Sequence, residues 1–244
     1  MTPKSHPRHD SLKTRDLIVK GIEEGIASIH GLIAHGRGEA FDYLLGEKTS
    51  EFAKKSADSA AALLLLAKYP VISVNGNAAA LVPKELCRLS KELGAPLEVN
   101  IFHPSKKREL KIKKYLEKYG AENVLLPQKN TKINFLESNR KYANLNGILK
   151  SDVVFVPLED GDRAEALMRN GKKVVAIDLN PLSRTARLAT ITIVDNITRA
   201  LPLLIKQIRK FRKLNLTKKQ LNVIYKHHNN SKRLEMAITD IRKL

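Results

Sequence analysis

The chain has 244 residues, of which 43% are hydrophobic, and its formal net charge is +19. This apolar content is enough to bury a core and excludes a disordered polyelectrolyte. The longest apolar run, Ala60 to Ala67, has eight residues, whereas a helix needs roughly 20 to cross a bilayer. No membrane-spanning segment is therefore expected.

No signal peptide is expected at the start of the sequence. Residues 1–10 are polar, include Pro3 and Pro7, and lack the apolar core of a signal peptide. Cys87 is the single cysteine, which excludes a disulfide within the chain. A cytoplasmic protein is therefore expected.

Two lysine-rich blocks, residues 106–118 and 206–219, carry much of the positive charge. Both have helical periodicity, and lysine is typical of solvated helix faces. Aromatic residues make up only 5% of the chain and tryptophan is absent, so platforms for stacking bases are scarce. We expect a basic surface that attracts anionic substrates, with nucleic-acid binding as the less favoured alternative.

The first third of the chain is predicted to be helical. Isoleucines at positions 18, 22, 26 and 29 form one apolar stripe that begins after a Ser11 cap. A glycine-bearing loop is predicted at His35–Glu39, followed by helical patterns over Phe41–Leu45 and Glu51–Lys68. Residues 1–68 are thus expected to form an N-terminal helical segment packed on the core.

Short strands and helices alternate over residues 69–214. The predicted strands are Val71–Val74, Leu97–Phe102, Asn123–Leu126, Asp152–Val156, Lys173–Ile177 and Thr190–Val194. The predicted helices are Pro83–Leu93, Ser105–Tyr119, Asp162–Asn170 and Asn196–Lys213. Because parallel strands need crossover connections, this alternation predicts an α/β core in which helices cover both faces of a parallel sheet.

Two further segments complete the chain. The polar stretch Gln128–Asn146 is long for a loop, so it is predicted to be a lid or to contain irregular helix. Residues 215–244 are predicted to form a C-terminal helical segment that is interrupted near Asn229 and Asn230. Residues 1–68, 69–214 and 215–244 are together expected to form one integrated domain.

Polar residues follow four of the predicted strands, and the carboxyl ends of parallel strands meet at one edge of a sheet. They are Asn75-Gly76-Asn77, Glu159-Asp160-Gly161-Asp162, Asp178-Leu179-Asn180 and Asp195-Asn196. Carboxylates and carboxamides at such an edge can bind ribose hydroxyls, a base edge or a divalent cation. Each group also has a plainer interpretation as a turn or a helix cap.

The sequence also contains arginines that are candidates for binding phosphate. Arg37 lies between two glycines, and Arg15, Arg184 and Arg187 are further candidates because a guanidinium matches phosphate geometry. Surface salt bridges are the alternative for Arg15 and Arg187. His35 is a candidate acid or base, with a structural role as its alternative.

The usual nucleotide motifs are absent. The sequence contains neither a Walker A motif nor a G-x-G-x-x-G fingerprint, and its His and Cys residues lack zinc-site spacing. There is no G-x-S-x-G elbow either. The residues alone therefore indicate an α/β domain with a polar, arginine-bearing ligand site.

Several strings of residues together resemble the archaeal phosphopantothenate synthetase family along nearly the whole chain. These strings are PKSHPR at 3–8, GLIAHGRGEAFDYL at 31–44, VISVNGN at 71–77, VPLEDGDR at 156–163 and IDLNPLSRTAR at 177–187. Residues 129–141 and those after Leu214 match the family less well.

The resemblance implies a Rossmann-like fold, a homodimer and an ATP-dependent ligase that joins 4-phosphopantoate to β-alanine in coenzyme A biosynthesis. It implies cleavage of ATP to AMP and pyrophosphate through an acyl adenylate. Carried over position by position, it implies ATP contacts at Arg15, Arg37, Asp178, Leu179, Asn180, Ser183, Arg184, Asp195 and Asn196.

The chemistry of that reaction suggests further roles. Arg37 and His35 are the predicted catalytic residues, and Asn75 and Asn77 are predicted to bind substrate. Because two anions must approach each other, Mg²⁺ is expected as a counter-ion. Its predicted ligands are Glu159, Asp160 and Asp162. A basic α/β nucleic-acid-binding protein and another ATP-using enzyme, such as a pantoate kinase, are the alternatives.

Overall fold

In the computed structural model, which describes residues 3, 5, 6 and 8–243, six parallel strands form one sheet. In chain order they are β1 (Pro70–Val74), β2 (Leu97–Val99), β3 (Val124–Leu125), β4 (Val153–Pro157), β5 (Lys173–Ile177) and β6 (Ile191–Ile193). Each predicted strand is present, although β2 and β3 are shorter than expected.

Helices surround this sheet within the described part of the chain. Before β1 lie α1 (His9–Glu23), α2 (Ile29–Leu44) and α3 (Glu51–Leu66). Those between strands are α4 (Gly76–Leu81), α5 (Pro83–Leu93), α6 (Lys106–Lys118), α7 (Gly161–Arg169) and α8 (Arg184–Leu188). The last three are α9 (Ile197–Lys213), α10 (Lys218–Lys226) and α11 (Asn230–Arg242).

The strand order across the sheet is β3-β2-β1-β4-β5-β6. β1 and β4 lie side by side at the centre of the sheet. β2 and β3 follow on the far side of β1, and β5 and β6 follow on the far side of β4. This is the order of Rossmann-like folds, so the predicted fold class is confirmed. The connection after β1 and the connection after β4 run to opposite sides of the sheet, which leaves a crevice beyond the carboxyl ends of these two strands.

Both faces of the sheet are buried, which explains the apolar runs of its strands. Ile72 and Phe155 point into a large core shared with α3, α5 and α9. Their neighbours Val71 and Val154 point into a smaller core that includes residues of α7. The sheet is therefore a rigid platform for the loops at its carboxyl edge.

The N-terminal helices differ from the prediction in two respects. Gly25, with φ of +71°, separates α1 from α2, and Ser28 caps α2 by accepting from the Gly31 amide. The predicted single stripe is therefore divided between two helices, and Ile29 lies 65% exposed. Ser11 is not a cap, because it lies inside α1 and its hydroxyl donates to Glu39.

The prediction of a loop at residues 35–39 is wrong. These residues form the middle of α2, despite the two glycines. His35, Glu39 and Asp42 lie on the buried side of this helix. Their packing and hydrogen bonds outweigh the weak helix propensity of glycine, which costs only about 1 kcal/mol per residue.

The C-terminal elements match the prediction. α9 buries Leu201, Leu204 and Ile208 against the core, so its basic residues lie on the opposite face. Asn229 begins α11 by accepting from the Lys232 amide, which accounts for the predicted interruption. No helix among the described residues is both long and apolar enough to cross a membrane.

Residues 126–152 connect β3 to β4 and include the 3₁₀ turn Asn139–Lys141 and a π-type turn at Leu145–Leu149. The expectation of irregular helix is thus confirmed. The buried Glu98 carboxylate on β2 accepts from the amides of Asn144 (2.8 Å) and Ile148 (2.7 Å). Burial, only partly offset by these amides, raises the pKa of Glu98 to about 7.

We predict that Glu98→Gln changes how stability depends on pH. Burial raises the pKa of the Glu98 carboxyl to about 7 in the folded chain, compared with about 4.3 for a glutamate in an unfolded chain. Between these values the folded state alone keeps the proton, so the free energy of unfolding of the wild type falls as pH rises. The variant lacks this proton. The difference in unfolding free energy, wild type minus variant, should therefore decrease from pH 5 to pH 8 in urea titrations. A constant difference would contradict the assignment.

Candidate functional site

A cavity of about 290 Å³ lies where α2 crosses the loops that follow β4 and β5. Helix α2 contributes Ala34, His35, Arg37 and Gly38, and α4 contributes Asn77. The remaining lining residues are Leu158, Glu159, Asp160, Gly161, Asp178, Leu179, Asn180, Ser183, Arg184 and Thr185. Most predicted site residues thus come together at the crevice expected for this fold.

Asp178 organises the loop after β5. Its Oδ1 accepts from the Asn180 amide at 3.0 Å, and its Oδ2 accepts from the Ser183 hydroxyl at 2.5 Å. Burial raises the pKa of Asp178. Leu179 packs so close to α2 that a Cβ on Gly38 would lie 3.3 Å from it. The loop is therefore held rigidly against α2.

Arg37 is the predicted cation that the structure brings into the cavity. It lies on an exposed side of α2, and within the described residues it forms no hydrogen bond or salt bridge. Arg184 also lines the cavity but pairs with Glu165. The glycine loop expected around Arg37 is not formed, because the residue lies within α2, and its role at a ligand site stays a prediction.

Arg15 lies on α1, outside this cavity. Its guanidinium contacts Glu39 at 2.8 Å, and Glu39 also pairs with Arg8. The hydrogen bond that Arg15 donates to Glu39 raises the pKa of Arg15, so the guanidinium stays charged. The salt-bridge alternative for Arg15 therefore describes its position in this structure.

His35 faces the cavity from the buried side of α2 and is only 5% exposed. Its Nε2 is buried and has no partner among the described atoms. Burial lowers the pKa of His35, although Glu39 and Asp42 act in the opposite direction. The imidazole is therefore neutral near pH 7 and can accept a proton.

The two predicted substrate-binding asparagines differ in their contacts. Asn75 donates to the carbonyl oxygens of Pro157 (3.0 Å) and Leu158 (2.9 Å), and its Oδ1 accepts from the Ala78 amide. It therefore ties the end of β1 to the end of β4. Asn77 donates to the Gly31 carbonyl at 2.7 Å, and its Oδ1 accepts from no donor among the described residues.

The three predicted metal ligands do not form a ligand set. The Glu159 carboxylate, whose side chain is 1% exposed, pairs with both Arg140 and Arg163. Asp160 pairs with Arg140 at 2.6 Å, and Asp162 accepts from the amide of Arg163 at 2.8 Å. In the part of the chain that the structure describes, no three carboxylate, histidine or cysteine side chains are placed to hold a metal ion.

An electrostatic effect makes Glu159 a poor metal ligand. Burial opposes ionisation of Glu159, but the charges of Arg140 and Arg163 outweigh burial and lower its pKa. A carboxylate already neutralised by two guanidinium groups is a poor ligand for a further cation. Asp160 keeps a side chain that is 50% exposed at the edge of the cavity.

Asp195 and Asn196 lie one strand further along the sheet edge. Asp195 accepts from Thr49 at 2.7 Å and from Arg199, and burial raises its pKa. Asn196 caps α9 and donates to Asp42 at 3.1 Å. These two residues are held by protein partners outside the cavity lined by Arg37.

A second cavity of about 290 Å³ adjoins the first and was missed by the sequence reasoning. The two cavities share Ala34, Arg37, Asn77, Leu158 and Asp160 as a common wall. Beyond that wall, the second cavity is lined by His30, His103, Arg108 and Arg140, together with Ser28, Gly31, Asn75, Gly76, Ile101 and Phe102.

The second cavity carries three guanidinium groups. Arg108 donates from Nε and Nη2 to the Ile26 carbonyl at 3.2 Å, which leaves Nη1 for a ligand. The rings of His30 and His103 lie 5.2 Å apart. Because His103 follows shortly after β2, the same strand-end rule that selected Asp178 would have found it.

The fold and site define a Rossmann-like α/β protein with a cationic, two-chambered crevice at its switch point. The family model described as phosphopantothenate/pantothenate synthetase matches residues 52–244, and this chain belongs to that family. The resemblance inferred from the sequence is thus confirmed.

Two relatives show the extent of the similarity. A Thermococcus kodakarensis protein named 4-phosphopantoate–beta-alanine ligase is 52% identical over 241 residues, which is 98% of this chain and 92% of the relative. A Methanosarcina mazei protein of the same name is 46% identical over 241 residues, covering 99% and 94%.

We predict that Glu159→Gln destabilises the chain even when no metal is present. The substitution leaves Arg163 buried without a counter-charge and Arg140 paired with Asp160 alone. Breaking a buried ion pair in this way typically costs about 3–5 kcal/mol. Unfolding should be measured in urea with a chelator present. Asp162→Asn is the control, because its amide oxygen can still accept from the Arg163 backbone and stability should change by less than about 1 kcal/mol. Equal, small effects of both variants would show that the buried ion pairs do not stabilise the fold.

Proposed function

We propose that this chain is an ATP-dependent ligase that joins 4-phosphopantoate to β-alanine in coenzyme A biosynthesis. The observation that carries the proposal is the pair of adjoining cavities with Arg37 and Asn77 in their common wall. A ligase of this kind must bring two anions, a nucleotide and an acid, to one point. The names of relatives that are 46–52% identical support this substrate choice.

ATP is assigned to the first cavity. Asp178 and Asn180 offer acceptors to a ribose, and the N-terminus of α7 at Gly161 faces the same space. Arg37 and Arg184 are the cations there, and backbone amides at a helix N-terminus add to their attraction for phosphate. Arg15, Asp195 and Asn196 would bind ATP only after release from Glu39, Arg199 and Asp42.

The phosphorylated acid is assigned to the second cavity. Arg108 lies at that end of the crevice with its Nη1 available, and His103 adds two further nitrogen atoms. A phosphate held there would leave the carboxylate of the same molecule facing Arg37 in the common wall. This arrangement places the reacting carboxylate oxygen beside the nucleotide phosphates.

The proposed reaction has two steps. In the first, the carboxylate oxygen attacks the α-phosphorus of ATP, the bond to the pyrophosphate group breaks, and an acyl adenylate forms. Arg37 offsets the negative charge that accumulates as the two anions meet. In the second, the amine of β-alanine attacks the acyl carbon, AMP leaves, and a proton must be removed from the nitrogen. The neutral imidazole of His35 is the proposed acceptor of that proton.

Magnesium is proposed as the counter-ion that ATP carries on its phosphates. The described residues do not offer it a set of carboxylates, and only Asp160 presents a half-exposed one. No step of the mechanism is therefore assigned to a protein-held metal. A homodimer, which the resemblance of the sequence implies, is also part of the proposal.

We predict that Arg37→Ala lowers kcat/KM for ligation by about 100-fold, because a charge-assisted contact to a reacting phosphate contributes on the order of 3 kcal/mol to the barrier. The fold should persist, since Arg37 has no protein partner among the described residues. Arg187→Ala, exposed on α8 and outside both cavities, is the matched control. Steady-state rates and thermal unfolding should be compared. A folded Arg37→Ala protein with near-normal kcat/KM would remove Arg37 from the mechanism.

The adenylate route predicts isotope exchange. With ATP, Mg²⁺ and 4-phosphopantoate present and β-alanine omitted, labelled pyrophosphate should enter ATP, because reversal requires the adenylate. Omitting 4-phosphopantoate is the control and should abolish exchange. Product analysis of the complete reaction should give AMP and pyrophosphate in amounts equal to the ligated product. Stoichiometric ADP and inorganic phosphate would instead establish an acyl phosphate and refute the adenylate.

A further inference from the structure

Asp160 presents a carboxylate to both cavities of the crevice. It belongs to the wall that the cavities share, and its side chain is 50% exposed. Asp160 is also the N-cap residue of α7, a position at which an aspartate side chain usually accepts a hydrogen bond from the helix. Here the side chain accepts no such bond. The carboxylate is therefore not used as a cap and faces the crevice instead.

Arg140 fixes the orientation of this carboxylate. Its Nη1 donates to Oδ2 of Asp160 at 2.6 Å, its Nε donates to Asn100 at 2.9 Å, and its Nη2 donates to Glu159 at 3.0 Å. The side chain of Arg140 is 3% exposed, so these partners hold it in place. Oδ1 of Asp160 accepts from no donor among the described residues. One oxygen of the carboxylate is thus anchored, and the other is available to a ligand.

Asn77 supplies a second acceptor in the same wall. Its Nδ2 donates to the Gly31 carbonyl at 2.7 Å, and this bond orients the amide. A Cβ built on Gly31 would collide with Oδ1 of Asn77, so the glycine provides the space for this orientation. The shared wall therefore carries two oxygen atoms with capacity to accept, one of them on a carboxylate.

These acceptors are unexpected in a crevice whose other proposed ligands are anions. Arg37 lies in the same wall, with Arg184 in the first cavity and Arg108 in the second, and guanidinium groups suit phosphates and carboxylates. A carboxylate repels such anions at close range and attracts an ammonium. Of the proposed substrates, only β-alanine carries an ammonium group.

We propose that Asp160 and Asn77 bind the ammonium group of the amino acid substrate, and that Arg140 is the positioning residue for Asp160. This inference rests on the proposed function, because it places the second substrate of that ligation. The shared wall is also where the carboxylate of the phosphorylated acid is proposed to meet the nucleotide. An ammonium bound there has its nitrogen beside the activated acyl carbon.

The bound ammonium must lose a proton before its nitrogen can attack. Burial raises the pKa of Asp160, so its carboxylate is a better proton acceptor than an ordinary aspartate and can pass the proton to water on its exposed side. The nitrogen lone pair then forms the bond to the acyl carbon. The bond from that carbon to the adenylate oxygen breaks, and its electron pair leaves with AMP. The extra proton now on the nitrogen passes to His35.

Asp160→Asn tests the assignment with little change of shape, because an amide oxygen can still accept from Arg140. With ATP and 4-phosphopantoate saturating, KM for β-alanine should rise about 10- to 100-fold, as expected for the loss of one charge-assisted hydrogen bond. KM for ATP and KM for 4-phosphopantoate should stay unchanged. Exchange of labelled pyrophosphate into ATP, which needs no β-alanine, should persist.

Asp240→Asn is the matched control. Asp240 is also 50% exposed and pairs with one basic side chain, Lys243 at 3.2 Å, but it lies on α11, outside both cavities. None of the three KM values should change in this control. Asn77→Ala is a second variant within the proposed site, and it should also raise KM for β-alanine selectively.

A neutral amine separates the binding of charge from the assembly of the crevice. Hydroxylamine is largely uncharged near neutral pH, and it should trap the acyl adenylate as a hydroxamate at the same rate in the wild type and in Asp160→Asn. The loss of hydroxamate formation or of pyrophosphate exchange in the folded variant would overturn the proposal, because Asp160 would then serve the nucleotide or the acid.

The KM values decide the remaining outcomes. An unchanged KM for β-alanine in Asp160→Asn would overturn the proposal, since the pairing with Arg140 would then be structural alone. A similar rise of KM for all three substrates would also overturn it, because a displaced loop would explain the effect. If the wild type forms no ligated product, the proposed function itself fails. Ligation with normal KM values in the variants refutes the ammonium site alone.

Discussion

The structure of the crevice depends on a buried ion-pair cluster in which one glutamate neutralises two arginines. Glu159 follows β4, while Arg140 belongs to the connection before β4 and Arg163 to α7. Arg140 also donates to Asn100 after β2 at 2.9 Å, and Arg163 donates to Ser73 on β1 at 3.0 Å. One cluster thus joins three central strands, a helix and the long connection at their carboxyl edge.

Such a cluster defines geometry more than it adds stability. Removing several charges from water costs as much as their mutual attraction returns, unless every partner is in place. The arrangement therefore tolerates little displacement of Glu159, and the loop from Leu158 to Gly161 is held between the two cavities. A crevice that must align a nucleotide with an acid benefits from this rigidity because misplacement of reacting atoms slows the chemistry.

The two sides of helix α2 have different surroundings. Its inner side carries His35 and Gly38 against the loop after β5, and Arg37 projects beside them into the crevice. Its outer side presents Ile33 and Tyr43 to solvent in the isolated chain.

The sequence by itself determined the α/β class, the strand positions and the strand-end residues Asp178 and Asn180, because hydrophobic periodicity and the strand-end rule depend on residues close in the chain. Only the tertiary structure decided that residues 35–39 are helical, since burial of His35 and Asp42 outweighs the local preference of two glycines. It also decided that Glu159 pairs with two buried arginines. Its partner Arg140 lies 19 residues away and reaches it only once the sheet has formed, so no local spacing could predict the pair.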